Sequence, residues 1–156
     1  EFYLSIKNFK GAFKRLNLIK SFGNHSSVYY DFAHSPSKVL ATVNALRELH
    51  PKRSLIACLE LHTFSSLNSD FIPNYFNVFC DCSEVWIYIS EKELAIKGLK
   101  IDSDFIINGI MKSKVIVIKD KLKLQSRISR LEFLNTDLLL MSSGNFSGLN
   151  IKQIFE

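Results

Sequence analysis

An aspartate and a histidine, Asp31 and His34, stand three residues apart in the segment 29–37, which reads YYDFAHSPS. β-branched and aromatic residues before Asp31 predict a strand, and Ser35-Pro36 predicts a helix start with a hydroxyl N-cap. Ligands of parallel sheets bind at such strand-to-helix junctions, where helix N–H groups favour an anion. We therefore expect both side chains to face a ligand, although short polar residues also favour plain turns. This pair is too little for catalysis.

The elements that would position this pair alternate between strand and helix. Strand patterns cover residues 15–19, 28–30, 54–61, 85–89, 115–118 and 137–141. Helix patterns cover residues 36–49, 68–78, 103–111, 121–134 and a short stretch after 149, with 91–100 as an exposed connection. This alternation predicts an α/β fold: a three-layer, Rossmann-like doubly wound sheet, mostly parallel, with an antiparallel edge from an amino-terminal hairpin.

Two details of this fold are predicted from spacing. In the first helix, one apolar stripe facing the sheet is predicted from Val39, Leu40, Val43, Leu46 and Leu49. Because the carboxyl ends of parallel strands share one edge, the loops 31–34, 62–66 and 142–148 are expected to converge on one rim.

Composition predicts one compact, soluble domain. Hydrophobic residues make up 47% of the 156 residues and charged residues 22%. The net charge of +5 fits an acidic partner, but its lysines and arginines are scattered, so no nucleic-acid partner is expected. No apolar run approaches the roughly 18 residues of a membrane span, so no membrane partner is expected either.

The three cysteines, Cys58, Cys80 and Cys82, are an odd number without metal-ligand spacing, which predicts reduced thiols and a cytoplasmic protein. The chain begins at Glu1 rather than at methionine, which suggests a processed or excised piece.

Several catalytic signatures do not occur in the sequence. It contains neither G-x-x-x-x-G-K-[ST] nor a G-x-G-x-x-G after its first strand, so it lacks a phosphate cradle of its own. The four histidines show no H-E-x-x-H spacing, and G-x-S-x-G does not occur. We therefore assign no catalytic residue and no metal ligand.

Three segments together resemble the carboxyl-terminal domain of the Mur ligase family, in the family's order. Residues 9–16 read FKGAFKRL and resemble F-x-G-V-x-R-R-L, residues 30–36 read YDFAHSP and resemble D-[YF]-[AG]-H-x-P, and residues 141–148 read MSSGNFSG. The last segment is more similar to M-S-N-G-x-F-G-G, found in members that attach a cell-wall tripeptide, than to the G-A-G-D-I of members that add L-alanine.

The resemblance implies an ATP-dependent amide-bond ligase of peptidoglycan synthesis or recycling. In the family, ATP phosphorylates the carboxylate of a UDP-N-acetylmuramate-type precursor, and the amine of an amino acid or peptide attacks the acyl phosphate. The P-loop and the Mg²⁺ ligands belong to a central domain, and an amino-terminal domain holds the UDP group. The resemblance thus implies an arm at residues 1–8 that leads from a missing central domain into a carboxyl-terminal domain at 9–156, inactive alone.

The resemblance also implies roles for single residues. Arg15 would contact the nucleotide, Asp31 its ribose and His34 its adenine. On the side of the amine substrate, the matching rim positions are His62, Ser65 and Asn145. The loop 62–66 lacks both arginines of the family's H-R-Y-[ST]-R-T.

A different class of function stays open at this point. A non-enzymatic, Rossmann-like module that binds a nucleotide or phosphosugar would also place polar loops at the carboxyl edge of a parallel sheet.

Overall fold

A single six-stranded mixed sheet organises the chain in the computed structural model, which describes residues 16–110 and 114–156. The strands are β1 (Asn17–Phe22), β2 (Ser26–Asp31), β3 (Ser54–Glu60), β4 (Glu84–Tyr88), β5 (Lys114–Ile118) and β6 (Thr136–Met141). The helices are α1 (Pro36–Leu49), α2 (Glu91–Ile96), α3 (Ser103–Ile110), α4 (Lys121–Ser129) and α5 (Ile151–Ile154), with a 3-10 helix at Ile72–Tyr75.

The strand order is β1-β2-β6-β3-β4-β5, with β1 antiparallel to β2 and the other neighbours parallel. This confirms the predicted α/β fold and its antiparallel edge. Strand β6, late in the chain, lies between β2 and β3, and Leu140 is paired with Tyr30 on one side and Cys58 on the other. The carboxyl ends of β2, β6 and β3 are therefore adjacent, as the rim prediction requires.

Both faces of the sheet are covered, which explains the long apolar runs of its central strands. On one face, α1 packs through Val39, Val43 and Leu46. On the other, α4 packs through Leu124 and Ile128 against strand residues that include Trp86 and Leu140. No helix in the described ranges is both long and apolar enough to cross a membrane.

Helix α1 has the predicted bounds, but two details of its prediction were wrong. Ser35 is the N-cap and its carbonyl accepts the first helical bond, from Val39 N–H at 2.9 Å, but its hydroxyl makes no capping hydrogen bond. Leu40 and Leu49 are 40% and 56% exposed, so the buried stripe is narrower than predicted. Leu40 follows Val39 by about 100° around the helix and so turns away from the sheet.

Two other helix predictions were wrong in extent, and one helix was not predicted. The segment 68–78 forms only a 3-10 helix, where Pro73 lacks the N–H that an α-helix interior needs. Residues Glu91–Ile96 form α2 instead of an exposed connection, and the Ser90 hydroxyl caps it by accepting from Glu93 N–H. Helix α4 ends at Ser129, because Phe133 leaves it to stack on Phe22, with ring centroids 4.1 Å apart.

A buried ionic cluster ties the amino edge of the sheet together. Asp137, at the start of β6, is 1% exposed. Its carboxylate accepts hydrogen bonds from His50 Nδ1 at 2.7 Å and Arg53 Nη1 at 2.9 Å. Arg53 also donates to the carbonyl of Asn24 at 2.8 Å. One carboxylate thus joins the end of α1, β6 and the β1–β2 turn.

We expect Asp137→Asn to lower the free energy of unfolding by about 2–3 kcal/mol, because it removes a buried charge that pairs with the partly buried Arg53. Urea denaturation of the two proteins measures this. Lys114→Met is the matched control, since the Lys114 side chain is 68% exposed in its pair with Glu84 and its loss costs less than about 1 kcal/mol. Equal effects of the two substitutions would contradict the proposed importance of the cluster.

A second carboxylate makes stability depend on pH. Glu84 accepts from Trp86 Nε1 and Arg127 Nη2, both at 2.6 Å, and pairs with Lys114. Burial on its own would raise the pKa of Glu84, but the hydrogen bonds from Trp86, Arg127 and Lys114 lower the pKa overall.

Because folding depresses this pKa, the stability contributed by the Glu84 charge is fully present above the ordinary value of 4.5 and is lost as the pH falls below it. Glu84→Gln should therefore destabilise the protein at pH 7 and have a much smaller effect near pH 3. Denaturation of wild type and variant at both pH values measures the difference. If wild type and Glu84→Gln differed equally in stability at pH 7 and at pH 3, the pH dependence would not come from the Glu84 charge.

Candidate functional site at the carboxyl edge of the sheet

Asp31, the last residue of β2, has its carboxylate turned into the protein. Oδ1 accepts from the Ala33 N–H at 2.7 Å and from the Thr42 hydroxyl at 3.2 Å, and Oδ2 accepts from the Leu16 N–H at 2.6 Å. A carboxylate has about four acceptor positions. Three of them are thus occupied by described residues, which tie the turn, α1 and the residue before β1 to the end of β2.

His34 is half-buried in the turn that follows. Its Nδ1–H donates to the Phe32 carbonyl at 2.9 Å, and its ring meets the Phe32 ring edge-on, with centroids 5.4 Å apart. The His34 carbonyl accepts from the Tyr75 hydroxyl, which anchors the turn to the 3-10 helix. In the neutral tautomer with Nδ1 protonated, Nε2 is an acceptor. The imidazole is therefore held in one orientation before any ligand binds.

Ser142, immediately after β6, connects three strands at this edge. Its backbone N–H donates to the Asp31 carbonyl at 3.0 Å. Its hydroxyl donates to Glu60 Oε2 and accepts from the Gly144 N–H, the second at 2.7 Å. The end of β2, the end of β3 and the loop after β6 are thus linked through one fully buried serine.

Glu60, the last residue of β3, is 3% exposed, and no basic side chain of the described ranges forms a salt bridge with it. Oε2 also accepts from the Phe146 N–H at 2.9 Å. Burying a lone carboxylate costs several kcal/mol, while each hydrogen bond to a charged acceptor returns about 1.5–3 kcal/mol. The loop after β6 therefore supplies the donors that this carboxylate needs.

That loop has an unusual backbone. Phe146 and Ser147 have φ values of +53° and +54°, in the left-handed region that side chains with a Cβ rarely adopt, and Gly148 follows at +76°. The Phe146 ring is fully buried against Tyr30 and Tyr88, with centroids 5.9 and 6.0 Å away. Burial of this ring and the bond to Glu60 offset about 1–2 kcal/mol of strain per residue.

His62, in the loop after β3, faces the same segment. Its Nε2 lies 3.5 Å from the Ser143 hydroxyl, and the Lys97 ammonium donates to its carbonyl. A Cβ at Gly144 would stand 3.3 Å from the His62 ring and 2.9 Å from Glu60 Oε2. A side chain at position 144 would therefore push against Glu60 and His62. His62 Nδ1 is buried without a partner among the described residues.

The two other residues predicted for the amine substrate are exposed. The Ser65 hydroxyl lies 3.2 Å from Thr63 Oγ1. Asn145 Oδ1 accepts from the Gly148 N–H at 2.9 Å, and Asn145 lines a hollow of about 220 Å³ with Asn17 and Tyr30. Within the described ranges, no hydrogen bond joins Asn145 to His62 or Ser65. The structure thus brings His62 to the loop that contains Asn145, but not to the Asn145 side chain.

Arg15, the remaining residue predicted from the sequence, lies outside the described residues.

Two residues of the site were missed by the sequence analysis. Glu60 appears in the sequence only as a charge interrupting an apolar run, and Ser142 only as one of two adjacent serines. A lone carboxylate inside an otherwise buried strand was the available signal, because such a group needs donors from elsewhere.

Two groups near Glu60, the Tyr30 hydroxyl and the Cys58 thiol, are not activated for nucleophilic chemistry. Burial, and secondly the charge of Glu60, raise the pKa of Tyr30 to about 12 and also raise the pKa of Cys58. Neither group ionises near neutral pH, so neither is an activated nucleophile. Across residues 16–110 and 114–156, no three His, Cys, Asp or Glu side chains are grouped closely enough to hold a metal ion.

Comparisons with known proteins identify the family. No family model matches the chain. A UDP-N-acetylmuramate–L-alanine ligase from Lactobacillus johnsonii is 34% identical over 111 residues, which cover 69% of this chain and 24% of that protein. A second, from Christiangramia forsetii, is 27% identical over 75% of the chain. The chain spans about a quarter or less of the length of the curated relatives it matches.

Solved structures agree with these relatives. A domain assigned to a UDP-N-acetylmuramate:L-alanyl-γ-D-glutamyl-meso-diaminopimelate ligase from Haemophilus ducreyi superposes with a TM-score of 0.64 and 26% identity, covering 90% of this chain and 98% of that domain. The murein peptide ligase of Psychrobacter arcticus has the same fold over 97% of this chain and 31% of its own, with a TM-score of 0.71 and 18% identity. From the fold, the rim and these relatives together, the chain belongs to the Mur ligase family and corresponds to its carboxyl-terminal domain.

Proposed function

We propose that this chain is the carboxyl-terminal domain of an ATP-dependent ligase that joins an amino acid or peptide to UDP-N-acetylmuramate in peptidoglycan synthesis or recycling. The observation that carries the proposal is the hydrogen-bonded convergence of three sequence-distant loops at one sheet edge, through Asp31, Ser142 and Glu60. The names of its relatives support the same chemistry.

The proposed division of labour follows from what the chain lacks. It has no P-loop, and its described residues do not fit a Mg²⁺ site. We therefore assign phosphoryl transfer and Mg²⁺ binding to an upstream central domain, and UDP binding to an amino-terminal domain. This chain would close over ATP and present the amine, in the cytoplasm where ATP and the UDP-linked precursor are found.

On the nucleotide side, the geometry narrows the role of Asp31. With three acceptor positions occupied, its carboxylate can accept about one hydroxyl of the ribose, through Oδ2. His34, fixed by its bond to Phe32, would border the adenine and offer Nε2 to an amino group. Arg15 would contact anionic oxygens, for which a guanidinium is well suited.

On the amine side, His62, Ser65 and Asn145 are the proposed contacts. His62 is in contact with the loop after β6, whereas Ser65 and Asn145 are exposed on separate loops. In this proposal a bound amine substrate would bridge these loops.

Activity tests the proposal directly. The chain preceded by its natural upstream sequence should release phosphate from ATP only when UDP-N-acetylmuramate and an amine are both present, with L-alanine and the L-alanyl-γ-D-glutamyl-meso-diaminopimelate tripeptide assayed separately. The isolated chain should show no turnover and only weak ATP binding by calorimetry, because most phosphate contacts lie elsewhere. Tight ATP binding by the isolated chain, without ligation by the longer protein, would support a non-enzymatic binding module instead.

Nucleotide contacts are tested by substitution in that longer protein. His34→Ala should raise the KM for ATP about fivefold, and Arg15→Ala by about tenfold or more, since these correspond to about 1 kcal/mol and 1.5 kcal/mol or more. The KM for the amine should stay unchanged. His25→Ala is the matched control, because His25 is exposed in the β1–β2 turn at the other edge of the sheet. Wild-type turnover in an Arg15→Ala, Asp31→Ala double variant would overturn the assignment.

A further inference from the structure

Glu60 is a buried carboxylate for which the proposed function assigns no role so far. It closes β3 at the rim and receives the hydroxyl of Ser142 and the N–H of Phe146 on a single oxygen. These two donors come from the two ends of the segment 142–146, so one carboxylate oxygen holds both ends of this short loop. The residues between them are Ser143, Gly144 and Asn145.

The segment between these two bonds packs closely against Glu60 and His62, on the proposed amine side of the rim. Gly144 is so close to Glu60 Oε2 and to the His62 ring that an added Cβ would meet them at 2.9 and 3.3 Å. Ser143 lies 3.5 Å from His62 Nε2. Any shift of the Glu60 carboxylate therefore changes the position of the loop relative to His62.

The conformation of the loop is not one it would adopt unaided. Two successive non-glycine residues, Phe146 and Ser147, have positive φ, and such strain persists only where the surroundings impose it. The Phe146 ring between Tyr30 and Tyr88 provides one restraint and the bond from its N–H to Glu60 another. Among the described residues, the hydrogen bond between Asp31 and this loop is that of the Asp31 backbone carbonyl with Ser142 N–H, and the Asp31 carboxylate bonds elsewhere.

We propose that Glu60 is a positioning residue for the amine substrate: by holding Ser142 and Phe146 it sets the loop carrying Asn145 against His62, without itself touching substrate. This inference rests on the proposed ligase function. It separates the rim into two parts, with Glu60 governing the amine side and the Asp31 carboxylate the nucleotide side.

Steady-state kinetics of the longer protein, with the chain preceded by its natural upstream sequence, test the inference. Glu60→Ala should raise the KM for the amine, L-alanine or the tripeptide, by about tenfold or more, because a displaced loop no longer presents its contacts. The KM for ATP should change by less than about twofold. Glu60→Gln should restore most of the loss, since its carbonyl oxygen can accept the same two hydrogen bonds.

Gly144→Ala tests the same contact between the loop and Glu60 by a change in the loop itself. Its φ does not require glycine, so the added methyl acts only by pushing against Glu60 and His62. We expect the same selective rise in the KM for the amine. Ser142→Ala should also raise the KM for the amine selectively, since it removes the bond to Glu60 and the acceptor of the Gly144 N–H, while the bond from Phe146 to Glu60 remains.

Glu84→Gln is the matched control, because it neutralises a carboxylate at the opposite edge of the sheet. It should lower stability and leave both KM values unchanged. Should Glu60→Ala fail to fold, Gly144→Ala and Ser142→Ala decide the question.

Three results would contradict the inference or its basis. Folded Glu60→Ala and Gly144→Ala proteins with unchanged KM for the amine would overturn it, and so would equal rises in both KM values. Absence of wild-type turnover with either amine would instead contradict the ligase proposal, and this inference with it.

Discussion

The position of β6 between β2 and β3 is the constraint on which the rest of the structure depends. Its backbone pairs with β2 on one side and β3 on the other, both in parallel, so three strands that are distant in sequence end at the same edge. Ser142 then continues these links beyond the sheet, through its N–H to Asp31 and its hydroxyl to Glu60. Residues separated by more than 100 positions thereby form one surface.

Two buried carboxylates shape that surface, and neither forms a salt bridge with a basic residue of the described ranges. Asp31 satisfies its charge with N–H and hydroxyl donors from the turn, α1 and Leu16, whereas Glu60 takes its donors from the loop after β6. A buried carboxylate without donors is costly, so each carboxylate restrains the segments that supply its donors. The rim loops are in this way held in place by the fold itself, and such preorganisation lowers the entropic cost of binding a ligand at the proposed site.

The fold was largely predictable because its central strands are buried on both faces. Such strands produce long apolar runs, as in residues 54–61, and a short run of this kind is typical of a strand covered by helices on both faces. Helix extents were less predictable. The helix Glu91–Ile96 depends on a local cap at Ser90, and the end of α4 depends on the stacking of Phe133 on Phe22, a contact between residues 111 positions apart. Apolar periodicity carries no information about a capping hydroxyl or about a contact so distant in sequence.

The site, like the fold, was predictable only in its local features. The sequence by itself determined that Asp31 and His34 stand at a strand-to-helix turn and that the loops 62–66 and 142–148 follow buried strands, because these are local patterns of side-chain type. Only the tertiary structure decided that the Asp31 carboxylate turns inward, that His62 packs beside Gly144, and that Glu60 holds the loop after β6. The physical reason is that a buried polar group finds its partners through the packing of the whole chain, and spacing along the sequence does not specify them.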